Sequence, residues 1–385
     1  MAYHAAGKKK VANRSEKIKG EKMHPHVMDY SILFLVLFLV GFGLVILYST
    51  SSYKAGLLYS DTAYWLKKQA VFAVLGILCM LGMTRIDYHF WKKKKWFTPA
   101  IYFGTIAVLL FTFVFGALSH GSRRWLSIGP IRFQPSEVAK MTLTLFLAAY
   151  ISKHAREMRN WKGLIKPFLM SLVIVAIVGI ENLSTCIILL AITFIMLFVA
   201  SPLYKPFVGF ILAGLAGAGA LILTQGYRVT RFKVWLDPAS SPKGEQTMQG
   251  LYAIGSGGLF GKGLGQSMQK LGFLPEANND MIFSVICEEL GLFGAICVIA
   301  LFFALLWRFM KVIAGAPDLY GSMIVVGVMA HIGIQVFINI AVATNTIPNT
   351  GIPLPFISYG GSSLVFLLIE MGLVLSVSRY SKRKS

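Results

Sequence analysis

Hydrophobic residues along this chain neither alternate with polar ones nor keep to a single helical face. They form long uninterrupted runs, each ended by a short basic, proline-rich or glycine-rich stretch. A run that is apolar all round and about 17 to 25 residues long matches a helix crossing a hydrocarbon core, where only hydrogen bonds within the segment can satisfy its backbone. Ten such helices are predicted: Ser31–Tyr48, Gln69–Met83, Thr98–Gly116, Pro135–Ile151, Ile165–Ile180, Ser184–Ala200, Pro206–Thr224, Met281–Trp307, Ser322–Val342 and Ser358–Val377. The expected fold class is an all-α polytopic membrane protein of ten transmembrane helices, with a long loop at 225–280 between helices 7 and 8. The membrane domain spans 28–378, between a basic arm at 1–27 without periodicity, read as disordered, and a basic tail at 379–385.

Composition agrees. Of the 385 residues 56% are hydrophobic and only 14% are charged, against about 25% charged in soluble domains. The net charge of +21 comes from 37 Lys and Arg against 16 Asp and Glu, and its distribution matters more than its size. With the N-terminus in the cytoplasm, 24 of the basic residues fall on that side and 12 on the other, and Lys140 lies inside a span. The positive-inside rule then puts both termini in the cytoplasm and the long loop outside. The basic residues become anchors for membrane lipids, and nucleic acid is not expected as a partner. The first apolar run is too long for a signal h-region and lacks an A-x-A site, so it reads as a retained anchor. Cys79, Cys186, Cys287 and Cys297 show neither metal spacing nor a disulfide framework. No internal repeat is visible, which argues against an inverted-repeat transporter.

Three outer loops, 117–134, 225–280 and 343–357, are unusual. The second contains "LYAIGSGGLFGKGLG", apolar and glycine-rich, which predicts a packed or membrane-dipping segment. Its glycines fail the P-loop pattern because Gly263 follows Lys262, so no nucleotide cofactor is expected and any reaction must draw its free energy from the substrate. Ionisable groups inside spans mark cavities or functional paths. In "RFQPSEVAK", Pro135 suits the first helical position, with Glu137 in the first turn and Lys140 on the same face; an intrahelical ion pair and a charged lining of an outward cavity both fit. His331, Gln335 and Asn339 share a face suited to hydrogen bonds between helices. Glu370 and the pair Glu288 and Glu289 are similar candidates, with Glu288 expected to face protein or water. Asp280 in "LPEANNDMIF" stands just before a long apolar helix, where its physics alone reads as an N-cap.

The stretches "QKLGFLPEANNDMIFSVICEELG", "RRWLSIGPIRFQPSEVAK" and "NTGIPLPFISYGGSS" closely resemble the SEDS family of shape, elongation, division and sporulation proteins, in its FtsW and SpoVE branch, with RodA less similar. The resemblance runs from the first span to the last. It implies a bacterial cytoplasmic-membrane enzyme that polymerises lipid II, an undecaprenyl diphosphate-linked disaccharide-pentapeptide, on the outer face for division or sporulation. It also implies a class B penicillin-binding protein, supplying the transpeptidase, as partner. Carried over residue by residue, the essential aspartate falls on Asp280. The substrate-binding positions fall on Arg124, Glu137, Lys140, Gln246, Gln249 and Ser358, Tyr359, Gly360 and Gly361, and Glu288 is added as a candidate from its place in the span. Two departures stand out: Asn278 and Asn279 replace the histidine and threonine often found before the aspartate, and "ENLST" puts Asn182 where many members have a carboxylate.

Glycan polymerisation needs a base for the acceptor hydroxyl and groups that balance a departing diphosphate. Asp280 is expected as the base of an inverting transfer, with Arg124, Lys140, Arg228, Arg231 or Lys262 near the diphosphate and with or without a divalent metal ion such as Mg or Mn. A lipid II flippase and a noncatalytic scaffold for the transpeptidase are the competing readings.

Overall fold

A computed structural model describes residues 27–94, 96–119, 122–128, 131–223, 226–241 and 244–381. All but the last residue of the expected basic arm, and residues 382–385 of the tail, lie outside the described residues. The helices are α1 (Tyr30–Tyr59), α2 (Tyr64–Arg85), α3 (Phe97–Phe115), α4 (Pro135–Lys153), α5 (Trp161–Glu181), α6 (Leu183–Ala200), α7 (Lys205–Leu223), α8 (Gly226–Leu236), α9 (Glu245–Ser256), α10 (Ile282–Gly315), α11 (Leu319–Ala343) and α12 (Gly361–Ser378). Among the described residues eight of these are long and apolar enough to cross a membrane: α1, α2, α3, α5, α6, α10, α11 and α12. The ten expected spans also include α4, which carries Glu137 and Lys140, and α7; both are helical over 19 residues.

The helices run past their expected limits where polar residues extend the apolar runs. α1 continues to Tyr59, well beyond Tyr48. The last helix starts at Gly361 and not at Ser358, which leaves Ser358, Tyr359 and Gly360 as non-helical backbone. Within the loop at 117–134 a short antiparallel meander of β1 (Ala117–Ser119), β2 (Ser122–Ile128) and β3 (Ile131–Phe133) forms, with Leu126 opposite Phe133 and Ile128 opposite Ile131. The all-helical expectation missed it.

Helices α11 and α12 form the centre of the bundle, with 72% and 67% of their apolar windows buried by protein, whereas α2 and α3 each bury 22% and face outward. α2 lies along α12 at close range: a Cβ at Gly372 would sit 2.6 Å from the Met80 carbonyl oxygen. Small residues at such crossings let backbones approach where lipid offers no hydrophobic drive.

α10 is interrupted at Gly291, whose φ of 67° and ψ of −167° are not helical. The loop after α9 fills the break. The N–H groups of Lys262 and Gly263 donate to the carbonyls of Glu288 and Glu289 at 2.9 and 3.0 Å, and those of Leu292 and Phe293 donate to the carbonyls of Gly258 and Leu259 at 2.9 and 3.0 Å. The packed reading of "GSGGLFGKGLG" therefore holds, and its glycines are needed for contact: a Cβ at Gly261 would lie 2.2 Å from the Glu289 carbonyl oxygen.

The opposite end of the bundle is tied by polar contacts. Asp29 caps α1 through the N–H groups of Ser31 and Ile32 and pairs with Arg308. His89 sits between two carboxylates, 2.7 Å from Asp87 and 3.1 Å from Asp318, and Asp318 also caps α11 through Gly321. Burial opposes a charge on His89, but the bonds to Asp318 and Asp87 outweigh it and raise its pKa above the ordinary histidine value.

Candidate functional site

Asp280 does not cap its helix. The N-cap position of α10 is Met281, which makes no side-chain cap, because the helix begins at Ile282, one residue after the expected start. Glu276, in a left-handed conformation, accepts from the N–H groups of Asn279 and Met281 at 3.0 and 3.3 Å, closing a tight turn that aims Asp280 into the protein. Three successive carbonyls of this turn are each held from outside it. The Tyr359 N–H donates to the Asn278 carbonyl at 2.9 Å, the Ser358 hydroxyl to the Asn279 carbonyl at 2.6 Å, and Asn339 Nδ2 to the Asp280 carbonyl at 2.8 Å. The backbone carrying the carboxylate is thereby fixed by α11 and by the segment before α12.

That segment is itself braced. The Ser358 hydroxyl accepts from the Leu354 N–H at 2.8 Å, Asn339 donates a second bond to the Ile352 carbonyl at 2.8 Å, and Gln335 donates to the Pro353 carbonyl at 3.0 Å. Gln69 of α2 donates to the Ser358 carbonyl and accepts from the Gly360 N–H, both at 3.3 Å. Gly361 seats the start of α12 against Phe72. The polar face of α11 thus divides its work: His331 bonds Glu370 of α12 at 2.7 Å, as a face bridging helices should, while Gln335 and Asn339 hold loops. Sequence reasoning passed over Gln69 because one glutamine in an apolar run carries no pattern.

The Asp280 carboxylate is 5% exposed and accepts from Gln246 Nε2 of α9 at 3.4 and 3.5 Å. Burial, with Glu276 adding to it, pushes its pKa up to about 7 against the pull of Arg231 and Gln246. Among the described residues no salt bridge reaches it. Arg231 donates to the Asn349 carbonyl at 2.9 Å, at the near end of the loop that brings Gly351 over the carboxylate. Gly351 has no side chain to fill that space; a Cβ there would lie 3.8 Å from Asp280 Oδ2. Gln249, one turn beyond Gln246, shares its face on a partly exposed stretch of α9.

Glu137 and Lys140 pair at 2.9 Å, both buried, and the Ser363 hydroxyl in the first turn of α12 donates to Glu137 at 3.0 Å. The ion pair is therefore also a junction between α4 and the start of α12. Arg124 lies elsewhere, half-buried on β2, lining a separate groove with Phe113, Ser136, Val178, Glu181 and Asn182. Asn182 caps α6 through the Thr185 N–H at 3.1 Å, a role that its amide oxygen fills without a carboxylate. Glu288 is fully enclosed, and its oxygens are taken by the chain's own loop: Lys262 at 2.7 Å, Ser267, and the N–H groups of Met268 and Gln269. Glu289 likewise pairs with Lys270 at 2.8 Å and accepts from Ser49 at 2.6 Å. Arg228, expected near the diphosphate, has its side chain outside the described residues.

Among the described residues no group of three or more His, Cys, Asp and Glu could hold a metal ion. The side chains that act on Asp280 among the described residues are Gln246, Arg231 and the single acid Glu276, too few ligands for a resident divalent ion; an ion arriving on a diphosphate would belong to the substrate.

The family model described as "Cell cycle protein", covering FtsW, RodA and SpoVE, matches residues 30–383. The chain belongs to this FtsW, RodA and SpoVE family. Stage V sporulation protein E of Bacillus subtilis (strain 168) is 39% identical over 359 residues, 92% of this chain and 98% of that protein. A protein of Geobacter sp. (strain M18) named "Probable peptidoglycan glycosyltransferase FtsW" is 36% identical over 356 residues, 91% of this chain and 96% of its own length. Among solved structures, a chain of a peptidoglycan synthase complex described as coordinating polymerization and crosslinking superposes with a TM-score of 0.76 at 28% identity, over 91% of this chain and 98% of that one. The rod shape determining protein RodA of Thermus thermophilus superposes with a TM-score of 0.68 at 28% identity, over 93% and 98%. The expected all-α SEDS membrane fold and the FtsW and SpoVE branch agree with these matches.

Proposed function

We propose that this chain is a peptidoglycan glycosyltransferase of the cytoplasmic membrane, in which Asp280 is the general base for extending a glycan strand from lipid II. One observation carries the reading. A carboxylate is buried, free of any salt bridge among the described residues, held by a backbone fixed at three successive carbonyls, and tuned to about 7. A base whose pKa lies near the working pH combines a useful ionised fraction with real proton affinity. The names of the relatives, glycosyltransferases of peptidoglycan among them, support the same chemistry.

In the reaction, the 4-hydroxyl oxygen of the acceptor sugar attacks the anomeric carbon of the donor. The bond from that carbon to the diphosphate oxygen breaks, the polyprenyl diphosphate leaves with the electron pair, and the hydroxyl proton passes to Asp280. Gln246 orients the carboxylate, and Arg231, whose charge reaches Asp280, is placed to balance the diphosphate. Displacement from the face opposite the leaving group inverts the anomeric centre. The excess of basic residues on one side supports an outward-facing site with both termini in the cytoplasm. A class B penicillin-binding protein is the proposed partner, in line with the similar chain found in a synthase complex.

The test is polymerisation of lipid II by the purified full chain, alone and with such a partner, comparing wild type with Asp280→Asn. The proposal expects a loss of about 10²-fold or more on removing a general base. Near wild-type polymerisation by Asp280→Asn ends the assignment of the base, and transbilayer movement of lipid II without polymerisation by the wild type returns the flippase reading.

A further inference from the structure

The turn between α1 and α2 carries "LYSDTAYWLKKQ", a group of aromatic and basic residues that the proposed transfer step does not use. The turn is rigid. Ser60 adopts a left-handed conformation and bonds the Gly56 carbonyl, Tyr64 N–H bonds the Asp61 carbonyl at 3.1 Å, and Lys67 pairs with Asp61 at 2.8 Å. On it, Tyr59 and Tyr64 stack with ring centroids 3.9 Å apart and planes 11° from parallel. Trp65 sets its edge against both, and Lys68 Nζ lies 4.5 Å over the Tyr64 ring.

Aromatic residues that anchor a helix at the membrane surface set their rings at the headgroup level. Here the rings are ordered against one another, yet Tyr59 stays 48% exposed, and neither its hydroxyl nor the Trp65 indole N–H has a hydrogen-bond partner among the described residues. The group also borders the Asp280 segment. Gln69, next to Lys68, bonds Ser358 and Gly360, and Tyr359 lies within electrostatic reach of Lys68, Tyr64 and Tyr59 while its N–H holds the Asn278 carbonyl.

We infer that Tyr59, Tyr64, Trp65, Lys68 and Tyr359 form a saccharide-binding surface that holds the glycan strand beyond the sugar reacting at Asp280. Sugar rings present C–H faces that pack on aromatic rings, and their hydroxyl and N-acetyl groups need donors and acceptors such as the phenol and indole groups left open here. Lys68 adds a cation suited to the carboxylates carried on peptide-bearing strands. The inference rests on the proposed glycosyltransferase reading and adds to it where the product lies: along α1 and α2, continuous with the Ser358 to Gly361 segment.

The full chain in nanodiscs, titrated with the N-acetylglucosamine tetramer and followed by saturation-transfer NMR, tests it. Wild type and the exposed control Leu57→Ala are expected to bind alike, Tyr59→Phe to keep most of the affinity, and Tyr59→Ala and Trp65→Ala to lose fivefold or more. In polymerisation assays the two alanine variants are expected to release shorter strands than wild type. Equal tetramer binding by all variants, no binding by wild type, or a change confined to nanodiscs containing phosphatidylglycerol, which marks a lipid-headgroup anchor, overturns the surface. A wild type that binds the tetramer but polymerises nothing overturns the glycosyltransferase reading and leaves the saccharide surface standing. A polymerising wild type with variants of equal affinity does the reverse.

Discussion

Asn339→Leu is expected to weaken catalysis without touching a reacting atom. Leucine keeps the branching and heavy-atom count of asparagine but donates no hydrogen bond, so the Asp280 and Ile352 carbonyls each lose a 2.8 Å partner inside the protein. An acceptor stranded by loss of its donor costs about 1–3 kcal/mol. The change also removes Asn339 Oδ1, a buried oxygen with no partner, which returns part of that cost. A net loss of about 2–4 kcal/mol is therefore expected, seen as a lower melting temperature of the purified protein. The greater effect falls on rate, because Asn339 holds the third of the three fixed carbonyls, and a displacement of about 1 Å at a reacting group costs about 10²-fold. Lipid II polymerisation under turnover conditions should show kcat reduced about 10- to 100-fold, with the midpoint of its pH dependence moved little, since the carboxylate keeps its burial and Gln246. A kcat within twofold of wild type, alongside an inactive Asp280→Asn, would refute the claim that Asn339 positions the base.

Four further outcomes are expected. As the proposed base, Asp280 must be ionised to act, and burial raises its pKa to about 7, so kcat/KM should climb with pH through that value and fall about tenfold per unit on the acid side, as a pH–rate profile in well-buffered detergent will show. Lys140→Met leaves Glu137 buried without its cation and should cost about 3–5 kcal/mol in thermal unfolding, most of it recovered in the double variant Glu137→Leu, Lys140→Met. Gly261→Ala places a methyl 2.2 Å from the Glu289 carbonyl oxygen at a φ of +78°; it should destabilise by about 2 kcal/mol or more and expose the loop at 257–263 to limited proteolysis. His89→Gln removes a cation stabilised by two carboxylates, and because the folded pKa is raised, the stabilisation is present below about 6.5 and disappears as pH rises through the folded value, so the melting temperature should drop by the equivalent of about 1–2 kcal/mol at pH 6 and much less at pH 9.

Much of this arrangement was legible in the sequence because membrane helices declare themselves by unbroken apolarity and because a charge inside a span is costly enough to demand a partner. The Glu137 and Lys140 pair could be read from a spacing of three residues after Pro135. Asp280 stood out by position, but its apparent role as a cap was wrong: Met281 takes the N-cap position of α10, and no local pattern distinguishes a capping aspartate from one turned inward after Glu276. Ser358 and Tyr359 looked like the start of a helix, since serine and glycine are common there, whereas they serve the Asn278 and Asn279 carbonyls from non-helical backbone. Glu288 was chosen to face protein or water, and protein it is: Lys262 and Ser267 come from a loop more than 20 residues earlier, a pairing that only the folded chain reveals. The hairpin bearing Arg124 was hidden by the strength of the helical signal around it.

The interruption at Gly291 bears on how the protein is made. Every residue from Ile282 to Glu289 is buried, whereas Leu292, Phe293 and Ile296 are more than half exposed, so the gap sits where the helix passes from an enclosed stretch to one with an exposed face. Carbonyl and amide groups left open at such a level cost several kcal/mol each until something bonds them. During biogenesis α10 therefore cannot settle in the bilayer on its own; it waits for the preceding segment to cross, fold back and supply four bonds. The seating of α10 and the packing of the loop at 257–263 are in this way one step, joined by the same four bonds.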